Sequence, residues 1–179
     1  VTDDIVRAFR KIGFAVADGP EIEDEYHCFD ALNTPADHPA RDAQDTFYLS
    51  NPSPGLSATL SPSAGETAGV RGKPFLLRTH TSSVQQPPPV RIIVPGRVYR
   101  RDNADATHNP TFHQIEGLYV DKGVTLGDLK GTVEFVFKEL MGSDVKIRFR
   151  PHYFSYTEPS YEIDFTNALV MKMGKDWLE

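Results

Sequence analysis

The chain has 179 residues, enough for one domain with a sizeable core. Hydrophobic residues make up 39% and charged residues 25%, and the net charge of −6 gives no global basic footprint for non-specific nucleic-acid binding. The single cysteine, Cys28, excludes an internal disulfide and a multi-cysteine zinc site; with no membrane-length apolar run and no signal-peptide pattern, a cytoplasmic protein without a membrane partner is expected.

"TDDIVRAFRKIG" (residues 2–13) predicts a helix. Thr2 is placed to cap it, Asp3 and Asp4 suit its positive end, and Gly13 can close it in a left-handed turn. Ile5, Phe9 and Ile12 share one face. "FAVADGP" follows as a short strand stopped by Gly19 and Pro20. "EIEDEYHCFDALN" predicts a second, shorter helix with Phe29 and Leu32 inward. Residues 50–74, rich in Ser, Pro, Gly and Ala, cannot offset their ordering entropy, so an exposed, mobile insertion is expected there.

Beyond that insertion the pattern turns to sheet. "RIIVPGRVYR" and "TFHQIEGLYV" are strands rich in β-branched and aromatic residues, expected to form an antiparallel pair joined by a loop near residues 103–110. "TLGDLKGTVEFVFKELMG" is an amphipathic helix with a stripe of Leu126, Leu129, Val133, Val136, Phe137 and Leu140, stopped at Gly142. "VKIRFRP" and "SYEIDF" are further strands. Helices beside a largely antiparallel sheet predict an α+β domain. Two local basic strips stand out, Arg91, Arg97, Arg100 and Arg101, and Lys146, Arg148 and Arg150.

The segment "YRRDNADATHNPTFHQIEG" places charge of both signs between the two best strands. Alternation puts Val98, Arg100 and Asp102 on one face, and Phe112, Gln114 and Glu116 on one face of the partner, with His108 in the loop. If the faces coincide, one patch holds a guanidinium, two carboxylates, an amide and a ring. There is no nucleophile elbow, Cys–His pair or phosphate-cradling glycine loop. Such an inventory suits attack of a carboxylate on a nucleotide α-phosphate, where the site's work is positioning and charge neutralisation. Taken alone, the same pattern equally fits a surface strand pair laced by ion pairs. Phe154 and Tyr156 on one strand face read alone as core, and His80 and Ser82 as turn residues.

The segment resembles motif 2 of the class II aminoacyl-tRNA synthetases. More narrowly, "GFAVADGPEIEDEYHCFDALN", "HPARDAQDTFYL", "LLRTHTSSVQ", "PGRVYRRD", "DATHNPTFHQIEGL" and "IRFRPHYFSYTEPS" resemble, in order, the catalytic region of bacterial phenylalanyl-tRNA synthetase α subunits. The resemblance implies the α+β catalytic-core fold of that class over residues 1–179, with 50–74 as an insertion. It implies ATP-dependent activation of phenylalanine and its transfer to tRNA(Phe), with Mg²⁺ and a β subunit as partners. By the same resemblance Arg100 contacts the ATP α-phosphate and the amino-acid carboxylate, Asp102 and His108 lie at the ATP site, and Phe112 stacks on adenine. His80, Ser82 and Gln114 surround the phenylalanine ammonium, Glu116 lines that pocket, and Gln44 stands near the substrate carboxylate. Phe154 and Tyr156 clasp the substrate ring, and Glu158 is the carboxylate associated with Mg²⁺. Pro20 falls in the family's dimerisation motif.

The chain departs from that pattern at several points. Asp102 stands where relatives often carry glutamate, Tyr156 where phenylalanine is usual, and "SSVQQPPPVRI" is shorter than the corresponding stretch. The family's motif 3, with a second ATP-binding arginine, and its coiled-coil arm toward tRNA have no counterpart in these 179 residues, so a core truncated before motif 3 is expected. A non-catalytic, synthetase-like binding or regulatory module is the alternative expectation.

Overall fold

The computed structural model describes residues 1–42, 45–49, 75–84, 86–101, 109–154 and 157–178. In chain order these form α1 (Thr2–Lys11), β1 (Ala15–Val16), β2 (Ile22–Asp24), α2 (Glu25–Cys28), β3 (Tyr48–Leu49) and β4 (Phe75–Leu77). Then come β5 (Val90–Tyr99), β6 (Thr111–Val120), α3 (Leu126–Met141), β7 (Lys146–Phe154), β8 (Thr157–Thr166) and α4 (Ala168–Lys172). They fall into two compact units, one of Val1–Ala17, Gln86–Pro95 and Gly117–Glu179, the other of Asp18–Gln85 and Gly96–Glu116. The insertion expected at residues 50–74 lies outside the described residues.

In the first unit α1 begins a residue earlier than its expected cap. Val1 is the N-cap and makes no side-chain bond, while its carbonyl accepts from the Asp4 and Ile5 amides, so Thr2 is already helical. Gly13 closes the helix at φ 85°, as expected of a residue without a β-carbon. The chain then enters β1, two residues that run parallel to Ile92 and Ile93 of β5. Phe14 packs edge-on against Phe9 at 5.1 Å between centroids, with the Arg91 guanidinium 4.8 Å from its ring. The α3 helix starts at a capping box, in which the Thr125 hydroxyl accepts from the Asp128 amide and the Asp128 carboxylate accepts from the Thr125 amide. Its expected apolar stripe is buried only in part: Val136 is buried, whereas Leu126 and Leu129 are exposed. Those two lie in the first turn of the helix.

The β7–β8 pair is antiparallel and longer than its sequence patterns, extending through Pro151 and Pro159. Arg148 and Arg150 on one strand both reach Asp164 on the other, a fully buried carboxylate. Arg148 Nε donates at 2.7 Å and Arg150 Nε at 2.9 Å, and Arg150 also pairs with Glu162 at 3.0 Å. The second basic strip is therefore largely neutralised within its own strand pair.

The second unit contains the clearest departure from the sequence reading. Residues 21–33 begin as strand β2, because Ile22, Glu23 and Asp24 pair antiparallel with Leu77, Leu76 and Phe75, a partner far along the chain. Helix follows only as the four residues of α2, capped by Asp24, whose carboxylate accepts from the His27 amide at 2.8 Å. A 3₁₀ turn at Asp30–Leu32 ends in left-handed Asn33, φ 58°. Cys28, Phe29 and Leu76 form the buried core here, with Ala40 and Tyr48 packed against them. Burial raises the Cys28 pKa, so this cysteine is a protonated apolar filler.

β5 and β6 are neighbours in a sheet ordered β1-β5-β6, and they match the two predicted strands within a residue at each end. The connection closes with the Arg100 amide donating to the Pro110 carbonyl at 2.9 Å. Among the described residues no helix is long and apolar enough to cross a membrane.

Candidate functional site

Six of the twelve residues singled out in the sequence lie together in the second unit. On β6, Phe112, Gln114 and Glu116 are partly buried; Thr111 and His113 on either side of Phe112 are exposed, whereas Ile115 between Gln114 and Glu116 is partly buried as well. Arg100 follows β5 directly, and its guanidinium carbon sits 5.1 Å from the centre of the Phe112 ring. Its Nε donates to the Thr79 carbonyl at 3.3 Å, and among the described residues its terminal nitrogens have no hydrogen-bond partner, a fork suited to an anion.

Beside this pair the polar groups settle one another's roles. The Ser82 hydroxyl donates to Oε2 of Glu116, and Gln114 Nε2 donates to Oε1 at 2.9 Å. A carboxylate only accepts, so the amide of Gln114 must turn its nitrogen toward Glu116. Gln114 Oε1 is then left over, buried and without a hydrogen-bond partner in the described structure. His80 shows the same economy. Its Nε2 lies 2.8 Å from the Cys28 carbonyl, another pure acceptor, so the ring proton is on Nε2. Nδ1 keeps its lone pair, and it too is buried with no partner. Burial lowers the His80 pKa; Glu116 opposes that shift, and the positive charges of Arg100 and Arg78 add to it. The imidazole is neutral near pH 7, as a lone-pair acceptor requires.

The cluster therefore combines a carboxylate, two unspent buried acceptors, a guanidinium and a flat ring. An unpaired buried acceptor costs about 1–3 kcal/mol. A ligand bringing a cationic N–H donor would remove that cost while neutralising Glu116, and the Arg100 guanidinium is chemically suited to an anion.

The other predicted residues stand as follows. Gln44, Asp102, His108 and Tyr156 lie outside the described residues. Phe154 ends β7 in the first unit, its ring 4.7 Å from that of His152, and Glu158 is an exposed residue of β8 in that unit. Among the described residues no group of three His, Cys, Asp or Glu could hold a metal ion. A single exposed carboxylate such as Glu158 fits only a Mg²⁺ that keeps its waters and shares nucleotide phosphates.

Sequence reasoning missed Arg78. Its side chain is 2% exposed, and it donates to three backbone carbonyls, those of Arg97 and Gly19 at 2.8 Å and Pro20 at 3.2 Å. The only signal is an arginine directly after an apolar strand, "FLLRT", which equally well marks a solvated strand end. Glu23 was missed for a similar reason: it is buried, and that burial raises its pKa.

The whole sequence, residues 1–179, matches the family described as tRNA synthetases class II core domain (F). The phenylalanine–tRNA ligase alpha subunit of Caldicellulosiruptor bescii is 50% identical over 191 residues, covering 100% of this chain and 50% of that protein. That of Citrifermentans bemidjiense is 51% identical over 181 residues, covering 98% of this chain and 46% of its own length. This chain thus spans about half the length of the curated relatives it matches. Among solved structures, pyrrolysyl-tRNA synthetase from Desulfitobacterium hafniense superposes with a TM-score of 0.58 at 15% identity, over 93% of this chain and 54% of that one. An ATP phosphoribosyltransferase regulatory subunit/histidyl-tRNA synthetase from Bacillus halodurans gives 0.53 at 15% identity, over 84% and 35%. At such identities these two speak for the fold alone. The family match runs from the first residue to the last and takes in both strands that build the cluster, and on that ground the chain belongs to the class II tRNA synthetase core-domain family.

Proposed function

We propose that this chain is the amino-acid-activating part of a phenylalanine–tRNA ligase, in which the phenylalanine carboxylate attacks the ATP α-phosphate, pyrophosphate leaves, and the resulting adenylate is passed to tRNA(Phe). The observation that carries this reading is the pair of unspent acceptors, His80 Nδ1 and Gln114 Oε1, beside Glu116. A free α-amino acid brings the ammonium these groups lack. Arg100 then takes the α-phosphate and the attacking carboxylate together, neutralising two anions that must approach each other. A ring has two faces: Arg100 covers one face of Phe112, and a flat base stacks on the other.

The amino-acid side chain is assigned from the relatives, which are named phenylalanine–tRNA ligases, and from Phe154 and Tyr156 as ring contacts. Gln44 near the substrate carboxylate, and Asp102 and His108 at the nucleotide, complete the proposed set. Glu158 would hold Mg²⁺ with the nucleotide phosphates; the ion supplies charge neutralisation there. A β subunit as partner follows from the relatives' designation as alpha subunits, and a cytoplasmic location from the sequence. The alternative of a non-catalytic module is less well supported, because a binding-only relative has no need to keep Arg100, Phe112, Gln114 and Glu116 in one cluster.

The test is exchange of labelled pyrophosphate into ATP by the full-length protein with whatever subunit co-purifies. Exchange should depend on phenylalanine and not on leucine or alanine. A folded assembly that shows no phenylalanine-dependent exchange contradicts the proposal.

A further inference from the structure

Arg78 is the largest fully buried side chain in the described structure. Burying a guanidinium is expensive, and a well-packed apolar residue of similar volume often serves stability as well or better. Its presence therefore asks for a role besides stability, and its partners suggest one.

The hydrogen bonds of Arg78 go to backbone, and two of the five go to β5, the strand that leads into Arg100. Its Nε donates to the Arg97 carbonyl at 2.8 Å, and its own carbonyl accepts from the Tyr99 amide at 3.0 Å. The next carbonyl, that of Thr79, accepts from Arg100 Nε at 3.3 Å. At the other end Nη1 donates to the Gly19 and Pro20 carbonyls, and the Arg78 amide donates to the Glu21 carbonyl at 2.9 Å. Residues 97, 99 and 100 are thus all referred to one two-residue stretch, itself fastened to residues 19–21. Tyr99 adds a side-chain tie to the same place, its hydroxyl donating to Glu21. The sequence leaves room for the device: a β-carbon on Gly96 would overlap the Arg78 guanidinium, and one on Gly19 would overlap Val84.

We propose that Arg78 is a positioning residue for Arg100: its planar fork and flanking peptide fix the height and rotation of the guanidinium that meets the α-phosphate. This inference rests on the activity proposed above. Three carbonyls in different directions need the arginine fork; a lysine ammonium keeps the charge without that geometry.

The experiment is phenylalanine-dependent pyrophosphate exchange by the full-length protein, with rates normalised to active sites by the burst of adenylate. Four forms are compared: wild type, Arg78→Lys, Arg100→Lys and the double variant. Misplacing a catalytic group by about 1 Å can cost on the order of 10²-fold, so Arg78→Lys should lower kcat roughly 10- to 100-fold with the KM for phenylalanine changed less than about twofold. If Arg78 acts through Arg100, adding Arg78→Lys to Arg100→Lys should cost less than about threefold more, because the two are not independent. Full multiplication of the two losses, or an unchanged kcat in Arg78→Lys, overturns the proposal. Should Arg78→Lys fail to fold, Gly96→Ala presses on the same guanidinium and should give the same pattern; loss of folding in both makes Arg78 purely structural and also overturns it. Wild-type exchange in Arg100→Lys overturns the functional reading itself, and this inference with it.

Discussion

Gln114 Nε2 donates to Glu116 Oε1 across 2.9 Å, two positions along one strand face, and that bond decides which end of the amide is left unsatisfied. The finding turns a list of polar residues into a site with a sign. A carboxylate and two lone pairs call for a cation, and the neighbouring guanidinium calls for an anion.

Glu116→Gln removes the charge and breaks this arrangement together. Hydrogen bonds to a charged group are worth about 1.5–3 kcal/mol, or roughly 10- to 150-fold in affinity. The KM for phenylalanine in pyrophosphate exchange should rise by that order, with the KM for ATP changed only a few-fold. A phenylalanine KM within about twofold of wild type would remove Glu116 from the ammonium site.

His80 makes the site sensitive to acid. Burial holds its pKa below the ordinary value of 6.5, so the ring is neutral near pH 7 and Nδ1 can accept. Protonation at lower pH would place a positive charge beside the ammonium proposed to bind there. The phenylalanine KM should therefore climb only as the pH falls through that lowered pKa, below 6.5, and His80→Asn should lose that dependence. Stability moves the same way: the unfolded chain takes the proton near 6.5 while the folded chain resists, so this contribution is complete above 6.5 and is lost as pH falls below it. A wild-type phenylalanine KM that stays flat as the pH falls through the lowered pKa and below it would contradict the assignment.

Asp164 provides a stability test far from the chemistry. Hydrogen bonding from Arg150, then from Arg148, holds its pKa below 3.8. A carboxylate of lowered pKa stabilises the fold above the unfolded value and loses that contribution as pH falls through the folded one. Asp164→Asn should thus lower the melting temperature at pH 7, and its gap to wild type should narrow in strong acid. A gap of equal size at both pH values would mean that the charge is not what Asp164 contributes.

Local signals carried the long elements. β5, β6 and α3 appear within a residue or two of their periodic patterns, since ten or more residues of one period leave little room for another reading. The stretch from Ile22 to Asp24 did not, because its strand exists only through pairing with Phe75–Leu77, and no local pattern records a partner so distant. The site divides in the same way. Alternation along one strand put Phe112, Gln114 and Glu116 on a shared face, as found. His80 and Ser82 came only from the family resemblance, because turn chemistry explains a histidine and a serine there equally well. Arg78 stayed hidden, since a buried arginine bonded to carbonyls leaves its mark on three distant backbone segments and none on its neighbours in sequence.

The central claim is that Arg100 neutralises the charge that develops as a carboxylate attacks a nucleotide α-phosphate. The direct measurement is phenylalanine-dependent pyrophosphate exchange by the full-length Arg100→Ala protein, alongside a thermal melt showing that it is folded. Loss of an electrostatic clamp of this kind costs on the order of 10²–10³ in rate, and a loss of that size is the predicted result. Exchange at the wild-type rate in a folded Arg100→Ala protein would contradict the account.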